Sequence, residues 1–518
     1  MDSIYGRMND DIELSSEESP KSEIQQFFSG KTVFLTGCTG FIGKCLVEKL
    51  LRTCSDMKRL YVLVRPKKDK PIEERMEHYF DNVIFQTLKN ARPNFQKQVS
   101  IIEGDLSMPG IAISPDDRRI LTETLDVIIH NAAIVIFSAK ISTLLSTNVL
   151  GTKEMLDLAT ECHHLKSFMY VSTAYSHCYL KTIEEKFYKP PADLQIVRDM
   201  IKADKENEAG LSKESLDTFL GPCPNPYIFT KAIAESIVQE YARKVSFPCG
   251  IFRMSIVIST YKEPIRSWCG NMNGPTFSLL ASGLGIQHAV YIAKNGAPDL
   301  VPADMTSNAC LASVWDLAEN KKDCREGCIY NYGSSTQNPI RYEMMRDNVK
   351  KYGEECPSIK TMGVFFVIFT SNYALFMMIH ILLHYFPALI ADIVRLLRFK
   401  KPKYIQMLIK IRKHMNELIY FVSNNWHIKM DEMVRVWDRL NPTDRELFFC
   451  DIRKLDWEDY ATTYWHGLRV YLLKEPMDNM LVARRRYEIL VAVECTIIAV
   501  VLLLIGYYVF GRYSTLFG

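Results

Sequence analysis

The sequence has no C-x-x-C pair, no marked excess of either charge and no internal repeat. Each absence excludes something. Fourteen cysteines are scattered along 518 residues without zinc-ligand spacing. Neither a metal site nor a disulfide framework is therefore expected, and reduced cytosolic thiols fit better. Lys and Arg number 63 against 60 Asp and Glu, a net +3, which gives no argument for nucleic acid as a partner. No signal-peptide pattern opens the chain. Residues 9–23, NDDIELSSEESPKSE, hold almost no large apolar side chains. They cannot bury enough surface to order themselves, so residues 1–28 are expected to be a disordered acidic tail.

A long apolar run is present at the other end. Residues 489–510, ILVAVECTIIAVVLLLIGYYVF, carry a single charge, Glu494. At 1.5 Å per residue a helix of this length spans the roughly 30 Å hydrocarbon core of a bilayer. Arg484, Arg485 and Arg486 precede it, and Tyr507 and Tyr508 sit near its far end. Basic flanks stay cytosolic and tyrosines favour the interface. The expectation is a cytosolic body on a single C-terminal membrane anchor, residues 487–511. Both the endoplasmic reticulum and the peroxisome accept such an anchor, and the chain ends in STLFG rather than S-K-L. A second apolar stretch, residues 363–390, is interrupted by Asn372, His380, His384 and Pro387. It reads as a span, a membrane-surface helix or a tunnel wall. The basic RLLRFKKPK, residues 395–403, follows it and suits anionic headgroups.

Between the ends, short β-branched runs alternate with helical patterns. Strands are expected at residues 32–36, 60–64, 100–103, 126–130, 167–172 and 250–253. Such alternation implies right-handed βαβ units and an α/β, doubly wound parallel sheet of Rossmann type. A mixed segment rich in Pro and Gly runs from there to about residue 360, and the remainder reads as helical. The division expected is a reductase domain over residues 29–360, a helical domain over 361–482, and the anchor.

The chemistry begins at TGCTGFIG, residues 36–43. It follows a strand and opens a helix, the context in which glycines let backbone N–H groups approach a pyrophosphate at a helix N-terminus. Gly37, Gly40 and Gly43 are the three glycines. The second strand ends in YVLVRPKK, with Arg65 and Lys67 and no acidic residue before Asp69. An acidic side chain there would select the free ribose of NAD, whereas arginine accommodates the 2′-phosphate of NADP, so NADPH is expected. Asp105 in EGDL follows the third strand and suits adenine, and HNAA, residues 130–133, supplies small residues after the fourth.

YVSTAY, residues 170–175, ends the fifth strand, and PYIFTKAIAE, residues 226–235, opens a helix. Tyr227 and Lys231 stand four apart on one helix face. An ammonium beside a phenol lowers its pKa and makes it a proton donor to a developing alkoxide. A hydroxyl from Thr173 or Ser172 can bind the same oxygen. A Y-x-x-x-K alone is common on exposed helices; behind the preceding five elements it carries weight.

Together these residues resemble the extended short-chain dehydrogenase/reductase family. EEKFY (184–188), NGP (273–275), DLVPADMTSN (299–308) and IYNYGSSTQNPI (329–340) look like alcohol-forming fatty acyl-CoA reductases. FFCDIRKLDWEDYATTYWHGLRVYLLKE, residues 448–475, is similar to their helical C-terminal domain. The resemblance covers about residues 31–476. It implies that Gly37, Thr39, Gly40, Phe41, Ile42 and Gly43 cradle the pyrophosphate. Arg65 would meet the 2′-phosphate, Asp105 the adenine, and Asn131, Ala132 and Ala133 the middle of the cofactor. Tyr227 would donate the proton and Lys231 would hold the nicotinamide ribose. Thr173 is the first choice for the hydroxyl and Ser172 the second, because the ST pair leaves the register open by one residue.

The implied reaction is reduction of a long-chain fatty acyl-CoA by NADPH to a primary alcohol through an aldehyde. A membrane-bound sterol or sugar-nucleotide dehydrogenase/epimerase shares the fold but not the C-terminal segment. A non-catalytic NADPH-binding protein would not need the Thr173, Tyr227 and Lys231 set. The sequence departs from the family in two places. Cys38 replaces an alanine in the glycine loop, where packing is expected. The family's EPxPGWxDNxNGP reads EPIRSWCGNMNGP, with Arg266, Ser267 and Gly270 breaking the pattern, which puts the local loop shape and substrate choice in question.

Overall fold

TVFLT has no polar face, and it forms β1 (Thr32–Thr36), buried along its whole length at the centre of the sheet. The structure, a computed structural model, describes residues 20–66, 70–293, 296–321 and 324–517. Lys67 and residues 1–19 of the expected tail lie outside the described residues. The other strands are β2 (Arg59–Val64), β3 (Val99–Glu103), β4 (Val127–His130), β5 (Ser167–Thr173), β6 (Cys249–Met254) and β7 (Cys328–Tyr332). They lie in the order 3-2-1-4-5-6-7, and every neighbouring pair is parallel. β7 falls in the segment read as mixed; the other six lie where the residue patterns put them.

Alternation along the strands feeds two cores. Val33 and Leu35 of β1 face one side of the sheet with the Phe41–Thr53 and Ala303–Asn320 helices, while Phe34 faces the other with the Gly151–Glu161 and Pro226–Ala242 helices. Strand order reverses between β1 and β4, so the chain leaves these strand ends in opposite directions. That opens a crevice beyond their carboxyl ends, the usual ligand position in such sheets.

The C-terminal region adds to the same core. Trp437, Phe448, Tyr460 and Trp465 are buried in one cluster with β1 and the Phe41–Thr53 helix. Trp465 Nε1 donates to the Cys356 carbonyl at 2.8 Å, and a Cβ on Gly283 would sit 2.1 Å from its ring. His427–Ile428 pairs with Thr182–Ile183 as a short parallel ribbon. The expected tail also ends early. Glu23–Phe28 is a helix with Ile24 and Phe28 fully buried. Asp444 accepts from Ser22 Oγ at 2.5 Å and from the Glu23 N–H at 2.9 Å. A local composition rule misses this order because its partner is some 420 residues away.

Two helical stretches among the described residues are long and apolar enough to cross a membrane. They are Tyr373–Leu397, mean hydropathy 1.9, and Met477–Tyr508, mean hydropathy 2.9. The latter belongs to the terminal helix Met480–Phe517. Its one mid-run acid is paired: Glu494 Oε1 accepts from the Val364 N–H at 2.9 Å.

Candidate active site

The glycine loop is built by close approach. Gly37 has φ 73°, and a Cβ there would lie 2.8 Å from the Ala132 backbone. A Cβ on Gly43 would lie 2.0 Å from the Gly37 carbonyl oxygen. Only glycine lets the loop fold this tightly against the turn after β4 and against its own helix. The N-terminus of the Phe41–Thr53 helix, with no acid in its first turn, then faces the crevice. Free N–H groups and an uncompensated dipole there suit an anion.

Gly37, Thr39, Gly40, Phe41, Ile42, Arg65, Asp105, Asn131, Ala132 and Ala133 all line one cavity of about 1160 Å³. Gly43 is packed behind that surface. The Asp105 carboxylate accepts from the Ser107 N–H and hydroxyl at 2.9 and 2.8 Å. Cys38 is fully buried; burial pushes its thiol up to about 12, so it acts as a packed small residue.

Beneath the turn lies His130, buried, which burial and then Lys231 hold down to about 3 and therefore neutral. Thr152 donates to the Asn148 carbonyl at 2.7 Å, so it accepts from His130 Nε2–H at 3.1 Å. Nδ1 then accepts from Thr36 Oγ1 at 2.8 Å, and Thr36 Oγ1 in turn accepts from the Ala132 N–H at 3.0 Å. One imidazole thereby sets the shape of the Asn131–Ala133 turn.

Asn225 caps the next element by accepting from the Ile228 N–H, and Pro226 takes the first position of the Pro226–Ala242 helix. Tyr227 and Thr173 reach the cavity. The Tyr227 ring stacks on Phe137 with centroids 5.8 Å apart. Lys231 lies one turn along, behind the cavity surface. Its Nζ donates to the Val171 carbonyl at 2.8 Å and sits 4.5 Å from the Tyr170 ring centroid. Ser172 is turned away, as alternation along a strand requires. Its Oγ donates to Glu235 Oε1 at 2.6 Å.

The protonation states differ from the sequence-based expectation. Burial, aided by Glu235, pushes the Tyr227 phenol up from 10 rather than down. Burial also brings Lys231 down to about 7, against the pull of Glu235. Desolvation dominates both shifts, and Glu235 is the charge that acts on each group. At neutral pH Tyr227 is a neutral phenol, which is the state a proton donor must start from.

Two supporting groups were not read from the sequence. Asn148, in a π turn (Leu145–Leu150), accepts from the Ile134 N–H at 2.8 Å and donates to the Ile134 carbonyl and to Thr230 Oγ1, both at 3.1 Å. It ties the loop after β4 to the Tyr227 helix. The available signal was the one amide side chain in TNVLGT, residues 147–152. Glu235 is the second: Arg253 grips it at 3.0 and 2.7 Å, and His177 Nε2 lies 3.2 Å away. Arg253 also donates to the carbonyls of Glu184 and Lys186, which fixes the EEKFY segment. The altered loop has its own partners. Arg266 pairs with Asp459 and Ser267 donates to Thr463, both on the Trp457–Gly467 helix.

The same cavity is lined by a set of apolar side chains, Val290, Val349, Phe365, Val367, Phe369 and Phe421. Lys410, Lys413 and Arg346 also reach it.

The comparisons with known proteins agree with this layout. A model of NAD-binding domains described as "Male sterility protein" matches residues 35–310, and a second model with the same description matches residues 383–475. The chain is 35% identical to the fatty acyl-CoA reductase wat of Drosophila melanogaster, over 95% of this chain and 94% of that protein. It is 34% identical to fatty acyl-CoA reductase 1 of Rattus norvegicus, over 89% of this chain and 88% of that protein. Among solved structures, the terminal R domain of the myxalamid PKS-NRPS pathway has the same fold. It gives a TM-score of 0.56 at 19% identity, covering 85% of this chain and 91% of that one. With relatives matched across nearly their whole length on both sides of the crevice, the chain belongs to the fatty acyl-CoA reductase family.

Proposed function

We propose that the chain reduces long-chain fatty acyl-CoA to the primary alcohol, with NADPH as reductant and the aldehyde as intermediate. The observation that carries the reading is convergence. One cavity joins the glycine cradle, the Thr173 and Tyr227 hydroxyls and an apolar chamber sized for an alkyl chain. The cradle fits a dinucleotide because its glycines leave a bare helix N-terminus for the pyrophosphate, and Arg65 at the end of β2 suits a 2′-phosphate. Bound there, NADPH supplies one hydride per round, so two are consumed between thioester and alcohol.

The protein's own residues then do the following. Phe137 stacked on Tyr227 and Asn148 behind the loop hold the phenol at the cavity wall. Tyr227 O–H and Thr173 O–H donate to the carbonyl oxygen and stabilise the oxyanion in both rounds. In the second round the Tyr227 proton passes to the alkoxide of the alcohol. Lys231, one turn along behind the cavity surface, would hold the nicotinamide ribose, and its protonated form offsets the negative charge left on the phenolate. Lys410 and Lys413 meet the CoA phosphates. The apolar chamber holds the chain and excludes water. The Met477–Tyr508 segment anchors the enzyme to a membrane with the body on the cytosolic side.

Purified enzyme given palmitoyl- or stearoyl-CoA tests this directly. The expected result is fatty alcohol with NADPH, much less with NADH, and none with Tyr227→Phe. No NADPH consumption with any acyl-CoA would overturn the reading.

A further inference from the structure

The helix Tyr373–Leu397 has its polarity inside out. Three of its polar side chains, His380, His384 and Asp392, are buried. His384 Nε2 accepts from the His288 N–H at 2.9 Å. Asp392 accepts from the N–H groups of Lys403, Tyr404 and Ile405, and so caps the return helix Tyr404–Val422. The opposite face carries Leu382, Phe386, Leu389, Ile393 and Leu397, at intervals of four, three, four and four residues. That is one stripe of an α-helix, and it is between 47% and 76% exposed. Phe399, at the tip of the hairpin, is wholly exposed.

We propose that this stripe is a monotopic membrane-docking surface, seated in one leaflet of an anionic bilayer. Three observations favour a bilayer over a protein partner. The tip and its flanks carry Arg398, Lys400, Lys401 and Lys403, a basic cluster beside exposed apolar groups, the pattern that suits acidic headgroups. The apolar C-terminal helix is close by: Glu494 holds Val364, only a few residues before the strand Ile368–Thr370 that leads into the hairpin. The hairpin also returns to the body rather than leaving it. The Val422 carbonyl accepts from the Ala293 N–H at 2.9 Å and Tyr420 O–H donates to the Cys178 carbonyl at 3.1 Å. A segment that returns to the catalytic cavity with a charged turn lies along the surface and does not cross. Phe421 and Val422 of the return helix line the cavity, so docking brings the apolar chamber to the lipid surface.

The test uses the full chain in vesicles of phosphatidylcholine and phosphatidylserine, with and without brominated acyl chains. An environment-sensitive dye is attached at Leu389→Cys, in a Cys495→Ser background because Cys495 is exposed. Val500→Cys in the C-terminal helix reports insertion of the anchor, and Met344→Cys reports the exposed body. Brominated lipid is expected to quench the labels at 389 and 500 and to spare the label at 344. In purely neutral vesicles, quenching at 389 is expected to fall while that at 500 stays. Quenching at 500 without quenching at 389 overturns the proposal. So does self-quenching at 389 that rises with protein concentration and ignores lipid, which would make the stripe a contact between two copies.

Discussion

Ser172 and Thr173 are neighbours in sequence and face opposite ways. β5 sends Thr173 into the cavity and Ser172 onto Glu235. Thr173→Val is expected to lower kcat by about 100-fold, the usual loss when one oxyanion donor is removed. Ser172→Ala is expected to leave kcat within a few-fold. It should instead cost about 1–3 kcal/mol of stability in chemical denaturation, because a hydrogen bond to a buried charge goes. The residue types at this site were legible in the sequence. Their facing was not, since a one-residue shift of register exchanges the two hydroxyls and only the distant Glu235 decides between them. Lys231 gives a pH test with a definite sign. The unfolded chain keeps a lysine proton to roughly pH 10.4, whereas the folded chain releases it near 7. Between those values the unfolded state binds more protons, so this contribution to stability rises with pH and is absent below about 7. Thermal unfolding should show the wild type gaining on Lys231→Met between pH 7 and 9. A constant gap between them would contradict the burial argument. Lys410→Glu should raise KM for acyl-CoA but leave KM for the free aldehyde, which has no phosphates, unchanged.

At the scale of elements, the glycine loop was the most legible feature because its function is a backbone matter. Gly43→Ala would force a Cβ to within 2.0 Å of the Gly37 oxygen. Overpacking of this kind costs about 1–3 kcal/mol, to be read as weaker dinucleotide binding by calorimetry. Retained affinity would mean the loop is looser than it stands here. β1 to β6 were readable because each buried strand is a short apolar run followed by a helical pattern. β7 was not, because CIYNY carries Asn331 among its apolar residues and follows the Pro- and Gly-rich segment after β6, although the Ala303–Asn320 helix leads into it. The Glu23–Phe28 helix was hidden for a related reason. Its short apolar face follows an acidic, serine-rich stretch and is ordered by Asp444 from the far end of the chain.

At the scale of the whole molecule, the segments on either side of residue 360 share buried contacts. Trp437, Phe448, Tyr460 and Trp465 share a core with β1 and the first helix of the sheet. A chain cut after residue 360 is therefore expected to be insoluble or molten, with no cooperative transition by circular dichroism. The sequence pattern separated an NADPH-binding segment from a helical one, and local pattern carries no information about which segments share a core.

The contact between Glu494 and the Val364 N–H reaches further than anchoring. Val364 opens the extended segment into the strand Ile368–Thr370, and Phe365, Val367 and Phe369 along it line the cavity. On the proposed reading, the apolar C-terminal helix also holds in place the wall that would meet the substrate's tail. A foreign anchor of equal hydropathy but without that acid would keep the enzyme on its membrane and loosen that wall. The profile of alcohols made from acyl-CoAs of graded length would broaden, while the rate on the shortest of them held.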